Sequence, residues 1–388
     1  MPVFAFLNKA ARTVLWRTGL GRRIAERYWQ NRDSGEGFHY LYREVQDVFA
    51  DIPTQFSDSV FSEFIAVDSK RWSMQESFVV EIANVVLEPE RLLGTRPGRQ
   101  VVEQTVTYKH HRQYPYILSD LLRPVSFTEF EVAIWYDGSA TRNYYHHFVD
   151  ALSGLAQFER SGLPLDTPLL ITRQMYDTVY FQYLFRCSIR FQQLNWYVVG
   201  DKEWVRVKKM YKFQTAQFSP ASWRTMREQY ALPTVAPWRK VFLNRDRKRF
   251  GRYLANEAET LALLKHYGFE EVFAENLTID QQAAVFQETK YLVALTGAGL
   301  IQQFFMAYEH AHVIEIMPRN RLMPEYYWQA YTLGIKYFDV VVGGPMRDGK
   351  EYSVDIAQLE TAVERMLKPQ LPGRTYGLVN VANTLSGR

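Results

Sequence analysis

The sequence predicts an α/β fold in two domains, and three observations carry that expectation. Its 388 residues exceed what one ordinary core holds. Residues 240–316 alternate short apolar strands with amphipathic helices, the pattern of a parallel sheet covered on both faces. Pro233 and Pro237 divide this regular half from a longer aromatic half, where strands are visible at 78–87, 132–136, 169–172 and 196–199. The expected boundaries are a basic arm and linker at 1–37, a first α/β domain at 38–232, a second at 238–350, and a C-terminal helix and tail at 351–388.

The second half reads element by element. Lys240–Asn244 is an apolar strand, and Asn256 with Glu259 suggests a capped helix with Ala258, Leu261 and Leu264 on its buried face. Glu271–Ala274 is a strand. Thr278 with Gln281 forms a second capping pattern, followed by the stripe Ile279, Ala283 and Phe286. Tyr291–Leu295 is a strand, Thr296–Gly299 a tight turn, Leu300–Tyr308 a helix and His312–Ile316 a strand. Asp355 with Gln358 opens a last amphipathic helix through Ile356, Leu359, Val363 and Met366. In the first half, a helix of about 17 residues is expected after Asn143.

Composition excludes several classes. No run of 18 apolar residues occurs, so no spanning helix is expected. Cys187 is the single cysteine, which precludes an internal disulfide and suits a reducing compartment such as the cytoplasm. Its aromatic neighbours make it a core residue. Residues 1–32 hold Lys9, Arg12, Arg17, Arg22, Arg23, Arg27 and Arg32 against Glu26 alone. Of the net +4, the remainder therefore carries −2, and a nucleic-acid-binding body is not indicated. The arm also holds Phe4, Phe6, Leu7 and Trp16, so it suits peripheral contact with an anionic membrane face and equally a helix packed on the body.

Candidate chemistry gathers at strand ends, where ligands of such sheets bind. The turn Thr296-Gly297-Ala298-Gly299-Leu300 lets backbone N–H groups approach an anion at a helix start. Gln302 stands where the dinucleotide fingerprint needs a third glycine, so a dinucleotide oxidoreductase is disfavoured. A tight turn requiring positive φ explains the two glycines equally well. Glu315 is read as ending the next strand, where an acid can accept ribose hydroxyl hydrogen bonds. Arg245 follows the first strand, with Arg247, Lys248, Arg249 and Arg252 close behind, and arginine forks suit phosphate oxygens. A solvated charge run is the plainer reading of these.

In the first half, Asn143, His146 and Asp150 share one helical face, opposite Phe148, Leu152 and Leu155, and His147 lies to the side. A carboxylate four residues from a histidine can orient it as a general base, whereas a solvated polar face needs no such role. The chain has no Asp-x-Asp pair to hold a metal on a diphosphate. The pair His110-His111 and the residues His310 and His312 lack metal-site spacing, so no structural metal is expected.

Taken in order, these patches resemble glycosyltransferase family 61, which includes bacterial capsular-polysaccharide enzymes and eukaryotic xylosyl- and N-acetylglucosaminyltransferases. The resemblance rests on Lys240–Arg245, Arg252, Asn256 and Glu257, Tyr267-Gly268-Phe269, Glu275–Leu277, Asp280-Gln281, Gly297–Leu300 and Val313–Ile316. The Asn143…His146…Asp150 patch is similar to the family's first-domain motif. Members usually carry His where this chain has Thr296, and Ser where it has Asn244. The resemblance implies a GT-B-like fold, two Rossmann-like domains facing a cleft, and inverting transfer from a nucleotide sugar without a cofactor or obligate metal. The acceptor would be the hydroxyl of a glycan or lipid-linked glycan, in bacterial surface polysaccharide biosynthesis. It places Arg245, Arg252, Asn256, Thr296, Gly297, Ala298, Gly299, Leu300 and Glu315 at the donor, and His146 or Asp150 as the base. An inactive subunit that binds a nucleotide sugar and scaffolds a polysaccharide complex is the alternative.

Overall fold

A computed structural model describes residues 38–89, 92–96, 100–102, 105, 127–136, 144–230, 233–368 and 375–376. The arm and linker, His110, His111, Asn143 and residues 377–388 lie outside them, as does the side chain of Asp150. The chain divides into two compact units. One takes the described residues up to Glu44 and those of 76–215, the other Val45–Gln75 and the described residues from Ala216 onward.

In the first unit, β1 (Phe38–Asp47), β2 (Met74–Leu87), β3 (Gly94–Arg96), β4 (Gln100–Val101), β5 (Thr128–Trp135), β6 (Leu169–Thr172), β7 (Trp196–Val199) and β8 (Val205–Gln214) build one sheet. The order is β4-β3-β2-β8-β5-β6-β7, with β1 also paired to β2. β8, β5, β6 and β7 run parallel, but β2 pairs antiparallel with both β8 and β3. The first unit is α/β as expected, and its sheet is mixed. The reason is legible in β8, where Val205 and Val207 are buried while Arg206 and Lys208 are exposed, an alternation of half-covered antiparallel strands.

The second unit carries β9 (Arg239–Leu243), β11 (Glu270–Val272), β12 (Thr289–Leu295), β13 (His312–Pro318), β14 (Tyr337–Gly343) and β16 (Thr375–Tyr376), all parallel, in the order β11-β9-β12-β13-β14-β16. A small parallel pair, β10 (Tyr253–Leu254) with β15 (Glu351–Tyr352), lies apart from it. Every residue of β13 and β14 is buried, as strands covered on both faces require. Phe242, Val293, Ile314, Ile316 and Val341 pack on one face with Leu264, Leu359, Val363 and Met366 of the helices Glu257–His266 and Ile356–Leu367.

The break between the halves falls before the proline pair. Helix Pro220–Gln229 belongs to the second unit because Trp223 packs 5.9 Å from the Phe304 ring and Arg227 Nη1 donates to the Met306 carbonyl at 2.7 Å. Residues 45–75 join the same unit. Phe49 stacks on Trp328 at 5.0 Å, and Trp328 Nε1 donates to Ser69 Oγ at 3.2 Å.

Two of the three expected helix caps form. Thr278 and Gln281 make a reciprocal capping box, and Asp355 accepts from the Ala357 and Gln358 amides at 2.9 and 3.1 Å. Asn256 does not cap with its side chain. Its amide donates to the Val354 carbonyl at 2.8 Å and its oxygen accepts from the Val354 N–H at 3.1 Å, so it clamps the chain beyond β15. The buried face of that helix is Thr260 and Leu264, while Ala258 is exposed.

Asp339 is fully buried within β14, and burial raises its pKa above the ordinary carboxylate value. It accepts from the Val340 amide at 2.9 Å, Ser57 Oγ at 3.0 Å and Arg365 Nη1 at 3.0 Å. Removing that guanidinium leaves a buried carboxyl without its cation, so Arg365→Met is expected to cost about 3 kcal/mol in urea unfolding. Adding Asp339→Asn to that variant should recover part of the loss, because the uncompensated charge is then gone.

Candidate functional site

The strand order of the second unit sets the site. Counted from β9, the first five strands run 2-1-3-4-5, so the chain leaves β9 toward β11 on one side and returns to β12 on the other. The carboxyl ends of β9 and β12 therefore flank the topological switch point, where open α/β sheets leave a crevice for a ligand. Arg245 follows β9 and Gly297 follows β12, in neighbouring, paired strands.

The two residues touch. Gly297 has φ +146, and a Cβ built there would lie 2.5 Å from Arg245 Nη2. Only glycine suits this position, on backbone and steric grounds together. The expected α-helix after the turn is instead a 3-10 helix, Ala298–Phe305, opened by a bond from the Leu300 N–H to the Gly297 carbonyl at 2.8 Å. Leu300–Phe305 are all buried, and Gln302, at the position of the missing third glycine, donates to Gln282.

The arginine run sorts into two groups. Arg247 pairs with Glu257 at 2.7 Å and caps the Leu254 carbonyl, and Arg249 lies 3.5 Å from Asp246. These two are structural or solvated. Arg245 is largely buried, donates Nη1 to the Gly251 carbonyl at 3.2 Å and lies 5.8 Å from the centroid of the Phe250 ring. Burial first, and then the charge of Arg252, push its pKa down to about 10. Arg252 sits at φ +65, with its amide bound to the Lys350 carbonyl at 2.6 Å, and burial and the charge of Arg321 lower its pKa. Among the described residues neither Arg245 nor Arg252 forms an ion pair with a carboxylate. Two guanidiniums are thus kept in one region against burial and like-charge repulsion.

Glu315 stands elsewhere than expected. It is the fourth residue of the seven-residue β13, not its end, and faces away from Ile314 and Ile316. It is fully buried, and neither carboxylate oxygen has a hydrogen-bond partner among the described residues. Burial, reinforced by Glu325 and opposed by the Thr296 hydroxyl and Arg252, pushes its pKa up to about 8. At neutral pH it is therefore mostly a protonated acid that can donate a hydrogen bond. Thr296 is buried beside it, its N–H on the Ile316 carbonyl at 2.9 Å and its hydroxyl without a partner among the described residues.

Asn256 serves the Val354 clamp described above, which supports the β10–β15 pair next to Arg252. Asn244, where the resembled family carries Ser, is 2% exposed and donates to Glu257 and Glu271 at 2.6 and 2.7 Å. Its own oxygen accepts from the Arg245 amide at 2.8 Å, which fixes the backbone under that arginine. Sequence reasoning passed over Arg321, Tyr326 and Tyr352, whose charges and hydroxyls act on Arg245, Arg252 and Glu315. The strand-end rule applied to β13 points to Arg321. Nothing local marks the two tyrosines.

The first unit brings together less. The chain is helical from Tyr144 to Ser161, but Tyr144–His146 is one short α-turn, His147–Ala151 is a π-helix and Leu152–Gln157 a 3-10 helix. Such a π segment often marks a functional position. Phe148 and Leu152 are buried as expected, and His146 is half-buried. His147 lies off the face of His146. It is fully buried against Tyr180 at 4.7 Å, and burial pushes its pKa down to about 3, so it behaves as a neutral aromatic. A polar pocket of about 290 Å³ lies at the carboxyl ends of β6 and β7, lined by Pro89, Thr172, Arg173, Gln174 and Asp201.

Among the described residues no group of three His, Cys, Asp or Glu side chains is placed to hold a metal, and no helix is long and apolar enough to cross a membrane. What the fold and site define is an α/β protein whose parallel sheet carries a cationic centre at its switch point. Residues 144–314 match the family model described as Glycosyltransferase 61, a stretch that takes in His146, Asp150, Arg245, Arg252 and the Gly297 turn and stops one residue short of Glu315. That stretch assigns the matched residues to glycosyltransferase family 61, and the protein is a glycosyltransferase. A comparison with curated proteins returns no match.

The buried acid makes a signed prediction. A carboxyl with its folded pKa raised to about 8 favours the fold fully below the unfolded value near 4.5, and that contribution is lost as pH rises through about 8. Glu315→Gln is therefore expected to raise stability by on the order of 3 kcal/mol at pH 7, and to leave it unchanged at pH 4. Urea unfolding at both pH values checks this. Gly297→Ala should lower stability at every pH, since its Cβ meets the Arg245 guanidinium.

Proposed function

We propose that this glycosyltransferase is an inverting enzyme of the GT-B type. It moves a sugar from a nucleotide-sugar donor held by its second unit to a hydroxyl of a glycan or lipid-linked glycan, in bacterial surface polysaccharide biosynthesis. The observation that carries the reading is the packing of Arg245 against the Gly297 turn at the switch point, with Arg252 beside it. Two guanidiniums and the N–H groups of Ala298 and Gly299 offer the donors that a leaving nucleoside diphosphate requires. Thr296 and Glu315 lie beneath them, and a protonated Glu315 supplies a hydrogen-bond donor where an ionised carboxylate would repel phosphate.

Transfer without a metal follows from the same arrangement. The chain has no Asp-x-Asp pair, and arginine takes over the charge stabilisation that a divalent ion gives elsewhere. In the transfer step the acceptor oxygen attacks the anomeric carbon as the bond to the diphosphate oxygen breaks. The acceptor proton passes to His146 or Asp150, and the nucleoside diphosphate leaves. The family match begins at Tyr144, which puts both residues within it. The polar pocket around Arg173 and Asp201 suits the hydroxyls of the acceptor. The composition suits a cytoplasmic enzyme, and the basic arm suits peripheral contact with the inner face of the membrane.

Arg245→Ala is expected to weaken nucleoside-diphosphate binding by roughly 1.5–3 kcal/mol in calorimetry. Unchanged affinity would remove Arg245 from the donor site. His146→Ala should lower kcat by roughly 10²–10⁴ with donor affinity nearly intact, and transfer should survive excess chelator. If turnover in His146→Ala and Asp150→Asn equals that of the natural chain, the base lies elsewhere. A protein that only scaffolds a complex would show no turnover to lose.

A further inference from the structure

The loop that carries Arg245 and Arg252 also carries an aromatic ring that packing does not explain. Phe250 stands between the two arginines and is 45% exposed, whereas every other described phenylalanine is buried or partly buried. An exposed ring of this size forgoes the free energy that burial gives. Its backbone is nonetheless fixed on both sides. The Asp246 carbonyl accepts from the Arg249 and Phe250 amides at 3.0 and 2.9 Å, and the Asp246 amide donates to Glu275 at 2.8 Å. Beyond Phe250, the Gly251 carbonyl accepts from Arg245 Nη1 at 3.2 Å, and the Arg252 amide donates to the Lys350 carbonyl at 2.6 Å. A Cβ at Gly251 would lie 2.9 Å from the Gly349 carbonyl oxygen, so the chain runs close against its neighbour there.

Among the described residues Phe250 stacks on no other ring. The cation over it is Arg245, 5.8 Å from its centroid, at the outer edge of the roughly 6 Å range of cation–π attraction. So loose a contact does not account for a ring held at the surface. With that guanidinium toward one face, an exposure of 45% leaves much of the ring open.

We propose that Phe250 is the stacking platform for the nucleobase of the donor. The inference rests on the donor site proposed above, in which Arg245 takes a phosphate, and it supplies what that site lacks. Guanidiniums and backbone N–H groups hold the diphosphate, which every nucleoside diphosphate shares. The base is tethered to that diphosphate through one ribose, so a ring beside Arg245 lies within its reach. A phenyl ring has no hydrogen-bonding group, so it meets the flat face of a base and not its edge. It suits a base better than the transferred sugar, whose hydroxyls would lose water without gaining a partner. Stacking of this kind tolerates every base, so Phe250 adds affinity for nucleotides and leaves the choice of base to other contacts.

Calorimetry on the full chain tests this by comparing inorganic pyrophosphate with the tightest binder among UDP, GDP, CDP and ADP. Phe250→Ala and Phe250→Leu are expected to weaken the nucleoside diphosphate about tenfold and to leave pyrophosphate unchanged. Phe250→Tyr keeps the ring and should bind as the natural chain does. Full nucleotide affinity in Phe250→Leu overturns the proposal. Equal losses for nucleotide and pyrophosphate do so too, since Phe250 would then act only by supporting Arg245. Arg245→Ala separates this inference from the reading beneath it, because it should weaken both ligands. If Arg245→Ala binds both as before while Phe250→Leu loses only the nucleotide, the stacking stands and the arginine site falls. A chain that binds none of these ligands overturns both.

Discussion

The pairing of β9 with β12 is the constraint on which the second unit depends. These strands are not consecutive in the chain, since β11 lies between them in sequence and on the far side of β9 in the sheet. That displacement splits the crossovers between the two faces and leaves the carboxyl ends of β9 and β12 uncovered by either connection. Val241, Phe242 and Leu243 register against Leu292, Val293 and Ala294, all but buried, so the pairing is held by core packing and not by the site it creates. The site can then hold unfavourable charges, because the sheet beneath it does not rely on them.

The charges are unfavourable in a patterned way. The charge of Arg252 depresses Arg245 and that of Arg321 depresses Arg252, Glu315 is buried without a partner among the described residues, and the Thr296 hydroxyl beside it is likewise unsatisfied. Each feature lowers the stability of the free protein. Together they form a centre with donors on one side and a buried acid on the other, which supports the anion-binding role proposed for it. Nearby residues of the same types are fully satisfied. Arg239 pairs with Glu270 and Glu288, and Asp339 with Arg365.

The glycine at 297 ties sheet to site. A side chain there would strain the backbone and displace the guanidinium that the turn supports. Thr296 fills the place where the resembled family usually carries histidine, and its burial under the turn shows that position to face Glu315 more than open solvent. A threonine there keeps a hydroxyl beside the acid without adding a further titrating group.

The sequence by itself determined β9, β12 and β13 of the second unit and the helices that follow Thr278 and Asp355, but not β14, the helix Glu325–Leu333 or the β10–β15 pair. Those first three strands are apolar runs that only a doubly covered sheet accommodates, and the caps at Thr278 and Asp355 act through neighbours three residues away. The candidacy of Arg245 and the Gly297 turn was also legible, because strand ends are local features and the sheet places them by rule. What only the tertiary structure decided depends on partners distant in the chain. Asn256 reads as a cap but clamps Val354, about a hundred residues away, and His147, read only as lying to the side of the polar face, is enclosed by Tyr180 and Phe181. The mixed sheet of the first unit arises because β2 finds β8 across more than a hundred residues, and the alternation within β8 marks a half-covered strand without naming that partner. The state of Glu315 is the clearest case. Its place in an apolar strand is written locally, whereas its protonation comes from the layers that close over it and exclude water.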